Sequence, residues 1–186
     1  MKDFIFIHIP KTAGQSIQSV LGKYDQSLIG VGLHRRVSQY SFRRRANSFS
    51  FTFVRNPFER LASGYFYLKN GLGNKFDNEV GKILPDTFKE FAISIKSFKD
   101  RLHFRKLDYW IDGYIDFVGC FENLQQDFSK VCSMIGVPAE KLPHINKSLA
   151  SAYMKEYDSE MIESVTEVYL DDLNFYDKIR KKSRMG

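Results

Sequence analysis

The hydrophobic pattern of this chain is set in its first twenty residues and then repeated. Phe4-Ile5-Phe6-Ile7-His8-Ile9 carries large apolar groups at successive positions with no alternation, and Pro10 ends the run. That pattern predicts a short strand covered on both faces, as in a parallel sheet. After a glycine-containing turn, Ser16-Ile17-Gln18-Ser19-Val20-Leu21 has the spacing of an amphipathic helix closed by Gly22. Phe49 to Val54 predicts a second strand, and Asn56-Pro57-Phe58-Glu59 a second helix start. Asn56 can cap, Pro57 suits the first helical position, and Glu59 stands three residues past the cap to answer it. This helix is expected to reach about Lys69, before Gly71 and Gly73 open a loop.

Further on, Asp86 to about Asp112 reads as mostly helical, with Phe88, Phe91, Ile95 and Phe98 on one face. Tyr114 to Phe121 predicts a third core strand, and Glu122 to Ile135 a helix stopped by Gly136 and Pro138. Pro143 to Ser148 is a loop. A last helix from about Asp158 places Met161, Ile162, Val165, Val168 and Tyr169 on one side, and the basic stretch Lys178 to Arg184 is expected to fray. No internal repeat or linker interrupts the order. Strands alternating with helices predict an α/β fold, a single domain over residues 1–186 with a central parallel sheet flanked by helices.

Composition narrows the partners. The 186 residues suffice for one domain with a sizeable core. A net charge of +6 suits an anionic partner, such as a nucleotide phosphate, an acidic or sulfated glycan, or nucleic acid. No stretch approaches the roughly 20 apolar residues of a membrane span, and the N-terminus lacks the apolar region of a signal peptide. Cys120 and Cys132 are the only cysteines and have no metal-ligand spacing, so no metal is expected and both read as free thiols of a cytoplasmic protein.

Two segments carry chemistry. Pro10-Lys11-Thr12-Ala13-Gly14-Gln15-Ser16 joins a strand to a helix, where small residues let backbone amides curl around an anion and the helix N-terminus adds unpaired donors. Lys11 brings a point charge, and Thr12 and Ser16 bring hydroxyls. An ordinary tight turn with an exposed lysine fits that stretch equally well. The nucleoside triphosphate loop GxxxxGK[ST] does not fit, because its lysine closes the loop whereas Lys11 opens it. The second segment is Phe53-Val54-Arg55-Asn56-Pro57-Phe58-Glu59-Arg60-Leu61-Ala62-Ser63. Arg55 stands where a strand gives way to a helix, at the sheet edge where α/β proteins bind ligands. Ser63, about two turns beyond Asn56, returns to the same helix face. An arginine fork and a hydroxyl there suit a phosphate monoester, against the plain alternative of an internal ion pair and a small packing residue.

The stretch from Phe6 to Ser16, followed some forty residues later by Phe53 to Ser63, resembles the two PAPS-binding motifs of the carbohydrate sulfotransferases, PAPS being 3′-phosphoadenosine 5′-phosphosulfate. The nearest group is the one including heparan-sulfate 2-O and chondroitin sulfotransferases and small bacterial relatives. The likeness continues through Phe117 to Leu124, Leu142 to Ser148 and the Tyr- and Asp-rich last helix, and so covers nearly the whole chain. It implies a P-loop-like domain in which Lys11, Thr12, Ala13, Gly14, Gln15 and Ser16 hold the 5′-phosphosulfate. Arg55 and Ser63 would hold the 3′-phosphate, and Asn146, Lys147 and Ser148 would line the cofactor. Gln15 replaces the family's usual threonine or serine, and Cys120 stands where relatives often carry arginine.

The implied reaction transfers a sulfo group to a hydroxyl of a carbohydrate, leaving 3′-phosphoadenosine 5′-phosphate, without a metal. Lys11 would steady the leaving oxygen, and His34, which follows Gly30-Val31-Gly32-Leu33 and is expected to begin a helix, would be the base. His8 reads as a core or supporting residue and His103 as a helix-surface one. Arg35, Arg36 and the Arg43-Arg44-Arg45 run beside His34 suit an acidic or already sulfated acceptor. A member that binds the nucleotide without catalysing is opposed by the intact Lys11, Arg55, Ser63 and His34, and two readings outside the family compete. A nucleotide-dependent phosphotransferase is opposed by the lysine-first loop and by the lack of a metal-binding aspartate after a later strand. A nucleic-acid-binding module has charge and aromatics in its favour, but the aromatics fall at core spacings and no nucleic-acid motif is present.

Overall fold

The computed structural model describes residues 1–25, 28, 34–143 and 153–185. They form a mixed α/β protein whose elements alternate as the sequence pattern predicts. Three strands, β1 (Phe4–Ile7), β2 (Phe49–Val54) and β3 (Phe117–Cys120), make one parallel sheet in the order β1-β2-β3. Phe4 pairs with Phe49 and Ile7 with Thr52, while Phe51 pairs with Phe117 and Val54 with Cys120. Among the described residues eight α-helical segments accompany them: α1 (Gly14–Leu21), α2 (Phe42–Asn47), α3 (Pro57–Lys69), α4 (Lys75–Ile83), α5 (Phe88–Ile93), α6 (Leu107–Trp110), α7 (Leu124–Ile135) and α8 (Ser159–Met185), the last kinked at Tyr169, where φ is −112° and ψ 23°.

The chain divides into two compact units. The first comprises Met1–Arg55, Leu107–Asn146 and Phe175–Gly186 and holds the sheet. Because side chains alternate along a strand, β1 sends Phe4 and Phe6 to one face and Ile5 and Ile7 to the other. Phe4, Phe6, Phe51 and Phe53 pack with Ile17, Val20 and Leu21 of α1 and with Phe128, Val131 and Ile135 of α7. Ile5, Ile7 and Val54 pack with Val37, Leu107, Trp110 and Tyr176. Both faces are therefore covered, which is why the strands read as continuous apolar runs. Thr52 donates its hydroxyl to the Ile7 carbonyl at 2.7 Å. Asp116, just before β3, accepts from both the amide and the hydroxyl of Ser50.

The second unit comprises Asn56–Lys106 and Lys147–Asn174. Its core is helical and aromatic: Phe58, Leu61, Tyr65 and Leu68 of α3 pack with Phe88 and Phe91 of α5, with Phe104, and with Met161, Val165 and Tyr169 of α8. Asn56 caps α3 as expected, accepting from the amides of Phe58 and Glu59, and the helix ends at Lys69.

Several elements depart from the sequence expectation. The stretch 86–112 is broken into α5, two 3-10 turns and α6. The Phe91 ring lies tilted against both Phe98 (5.7 Å) and Phe104 (4.8 Å), which needs the chain to fold back rather than run on. Residues 75–83, read as loop, are α4. Asn74 accepts from the amides of Phe76 and Asp77, and Asp77 answers at the Asn74 amide. The basic stretch 178–184, expected to fray, continues α8, and the Ser183 hydroxyl donates to the buried Asp127 carboxylate at 2.7 Å. Among the described residues no helix is long and apolar enough to cross a membrane.

Candidate active site

The loop after β1 and the end of β2 meet in the first unit. Lys11 and Ala13 both hold left-handed backbone, with φ of 69° and 66°. An L-residue gives up about 1–2 kcal/mol there, and such conformations persist where the surroundings require them. The Thr12 side chain between them is fully buried and donates its hydroxyl proton to the Ile9 carbonyl at 2.9 Å, so it shapes the loop from inside. Ala13 is the N-cap of α1 and supplies no side-chain oxygen. Helices α2, α3, α4 and α5 are capped by Ser41, Asn56, Asn74 and Thr87. The start of α1, at Gly14, Gln15 and the buried Ser16, has no side-chain cap, a feature it shares with α7 after Asn123.

Arg55 follows β2 directly and is only 2% exposed. Its Nη1 donates to the Lys11 carbonyl at 3.3 Å, and its guanidinium lies 4.4 Å over the Phe121 ring. The Lys11 backbone and the Arg55 guanidinium therefore meet beyond the carboxyl ends of two adjacent parallel strands. Ser63 lies in α3 in the second unit, where it is buried.

His34 lies in extended chain rather than at the start of a helix; a 3-10 turn begins only at Val37. Its Nδ1 is 2.8 Å from the His8 carbonyl oxygen. A carbonyl can only accept, so Nδ1 carries the hydrogen and the basic lone pair falls on Nε2. The ring is half-buried, 4.3 Å from the His8 ring and 6.0 Å from Trp110. Arg35 is exposed beside it. Arg36 lies 5.2 Å over the Tyr109 ring and 3.5 Å from Asp112. Burial raises the Asp112 carboxyl, but the Ser38 hydroxyl and amide, with the Arg36 charge, outweigh it and hold the group below its ordinary value. Arg44 pairs with Asp25, and Arg43 and Arg45 are exposed on α2.

A profile of the sulfotransferase family matches residues 2–178. The chain belongs to the sulfotransferase family. It is an enzyme of that family and so transfers a sulfo group to a hydroxylated acceptor. The sulfotransferase is also similar to an uncharacterized protein of Archaeoglobus fulgidus, 33% identical over 108 residues that cover 56% of this chain and 82% of that protein. No solved structure matches it. Among its described residues no group of three or more histidine, cysteine or acidic side chains is arranged to hold a metal ion.

Other sequence readings fare unevenly in this sulfotransferase. His103, read as a surface residue, is buried, its ring 5.6 Å from Tyr67 and its Nε2 3.8 Å from Asp77. Cys120 is buried and donates to Glu122 at 2.9 Å; burial, then that carboxylate, push its thiol up to about 12. His144, Asn146, Lys147, Ser148 and the Gly30-Val31-Gly32-Leu33 run before His34 lie outside the described residues. What sequence reasoning missed is the setting of His34. Neither its bond to His8 nor the neighbouring Trp110 has a signal in local spacing.

Proposed function

We infer that this sulfotransferase acts in the cytoplasm, as one domain over residues 1–186, moving the sulfo group of PAPS onto a hydroxyl of a carbohydrate acceptor. The observation that carries the reading is the convergence of Lys11 and Arg55. One lies in a strained loop before an uncapped helix start, the other is a buried guanidinium reaching that loop's carbonyl. A strand-end cradle with two cations suits a nucleotide bearing two separate anionic groups.

When bound, PAPS supplies an activated sulfo group whose bridging oxygen departs with the 5′-phosphate. The chain's part is positioning and charge. Lys11 and the first-turn amides of Gly14, Gln15 and Ser16 take the 5′ end, Lys11 offsetting the charge that grows on the bridging oxygen. Arg55 takes the 3′-phosphate; Ser63, and Asn146, Lys147 and Ser148 outside the described residues, are candidates for the nucleotide by the family resemblance alone. Nε2 of His34 takes the proton of the acceptor hydroxyl as its oxygen bonds to sulfur, a contribution of about 10²–10⁴-fold. Arg35 and Arg36 face an acidic or already sulfated acceptor.

Calorimetric titration with the product nucleotide, 3′-phosphoadenosine 5′-phosphate, tests the reading. Wild type should bind in the micromolar range with ATP much poorer. Lys11→Ala and Arg55→Ala should each weaken binding at least about tenfold, or about 1.4 kcal/mol. Folded wild-type protein that does not bind, or binds ATP as well, would sink the claim.

A further inference from the structure

One face of α2 borders a cleft instead of a core. Phe42, Arg45 and Ala46 are spaced i, i+3 and i+4, so they share one side of this six-residue helix, and they line a cleft of about 220 Å³. No residue of α2 is buried, and Phe42 is 79% exposed. A helix this short is marginal alone and normally owes its stability to an apolar face set against something. The cleft floor is Ile5 and Ile7 of β1 with Val37, and Tyr40 and the 80% exposed Tyr114 also line it. A Cβ on Gly113 would come within 2.9 Å of Val37 Cγ1, so its absence lets the chain at Tyr114 close on that floor. All of these residues belong to the first unit.

The lining selects the occupant. Ser50 is already committed, its amide and hydroxyl both donating to Asp116. The other polar side chains on the lining are the two tyrosines and Arg45. A sugar ring sunk here would strand most of its hydroxyls, whereas an aromatic ring would strand nothing and would gain contacts with Tyr40, Phe42 and Tyr114. Pockets for whole ligands run to roughly 300–1,000 Å³, and an apolar cavity of about 150 Å³ takes benzene, so this cleft suits one ring of a larger molecule. Charge adds a second requirement. Arg36 is paired with Asp112 and Arg44 with Asp25, while Arg45 has no ion-pair partner among the described residues.

We propose that the cleft is an acceptor subsite for an aromatic ring that adjoins an acidic group, the ring held against Phe42, Tyr40 and Tyr114 and the acid by Arg45. The inference rests on the reading of the chain as a carbohydrate sulfotransferase with His34 as base. Trp110 packs with Ile7 and Val37 and lies 6.0 Å from the His34 ring, so base and cleft floor share one side of the sheet. Three residues of chain separate His34 from Val37, which keeps their Cα atoms within about 11 Å, a distance that a glycoside spans. The acceptor is then an acidic sugar carrying an aromatic aglycone, not an unsubstituted polysaccharide.

The test uses the full chain and three probes: 4-nitrophenyl β-D-glucuronide, methyl β-D-glucuronide, which lacks the ring, and 4-nitrophenyl β-D-glucoside, which lacks the acid. Carbon-13 shifts of the Ile5, Ile7 and Val37 methyls, recorded without nucleotide, report occupation of the floor. The aryl glucuronide should move them saturably, the methyl glucuronide should not, and the aryl glucoside should bind about tenfold more weakly. Ala46→Trp, at an exposed position, should fill the cleft and weaken the aryl glucuronide at least about tenfold, and Arg45→Gln should reduce it to the level of the glucoside. With PAPS present, the wild-type KM should be about tenfold or more lower for the aryl than for the methyl glucuronide. Ala46→Trp should erase that gap and leave the KM for PAPS within about twofold.

Methyls that no aryl probe moves overturn the site, and leave the nucleotide and base readings standing because this arm uses neither. Equal binding of aryl glucoside and aryl glucuronide overturns the requirement for an acid. Methyls that respond, with no KM gap or with one that survives Ala46→Trp, overturn the assignment to the acceptor. Failure of the base reading shows separately, as His34→Gln retaining wild-type turnover.

Discussion

At the scale of single residues, the loop after β1 is where sequence and conformation pull against each other. Ala13 at φ 66° is a poor choice for the left-handed region, which glycine enters without steric cost. Ala13→Gly should therefore leave stability unchanged or raise it by up to about 1 kcal/mol. The same substitution at Ala92, buried inside α5, should cost about 1 kcal/mol or more. Urea midpoints of the two variants decide the matter, and an equal loss at both positions would refute strain at Ala13. The loop and Arg55 were legible in the sequence, because a lysine after a strand and an arginine before a capped helix are local signals. The burial of His103 and the partner of His34 were not, since each depends on residues brought together from distant parts of the chain: Asp77 for His103, His8 for His34.

Among the elements, β2 and α3 match expectation because each carries its own boundary: Val54 ends the apolar run, and Asn56 with Pro57 opens the helix. The missed α4 had a signal of the same kind in Asn74-Lys75-Phe76-Asp77, masked by the glycines before it. Gly81 inside it looks like a breaker, yet a Cβ there would sit 2.3 Å from the Leu68 carbonyl oxygen, so its absence is what lets α4 lie against α3. In the second unit α3 and α8 are tied by Arg60, whose Nη2 lies 3.5 Å from Asp172 and donates to the Arg105 carbonyl at 2.9 Å. Both side chains are 3% exposed or less. Removing one partner strands a buried charge, so Asp172→Leu should cost about 3–5 kcal/mol, while Arg60→Met combined with Asp172→Leu should recover much of the loss. A double-mutant cycle by chemical denaturation measures the difference. Additive single losses would mean the pair is not coupled.

For the whole molecule, the buried thiols and phenols set the response to alkali. Burial first, with Glu122 and Glu140 adding their negative charge, raises Cys120 to about 12 and Cys132 to about 11 from an ordinary 9.0. Burial also raises the hydroxyls of Tyr157 and Tyr169. Groups that keep their protons longer when folded add stability that is complete below about pH 9, where the unfolded chain is protonated too. That stability is lost as pH climbs toward 11–12. Urea midpoints should therefore fall steadily between about pH 9 and 10.5, and both thiols should resist alkylation until the chain unfolds. A flat midpoint over that range would contradict the assignment.

The chain passes between its two compact units four times, at Arg55–Asn56, Lys106–Leu107, Asn146–Lys147 and Asn174–Phe175. No single break separates them, and no contiguous stretch of coding sequence specifies either one whole. The strand-bearing unit and the helical unit are therefore specified by interleaved stretches of one sequence. Neither can be lent to another protein by simple fusion of gene segments, as a module at one end of a chain can.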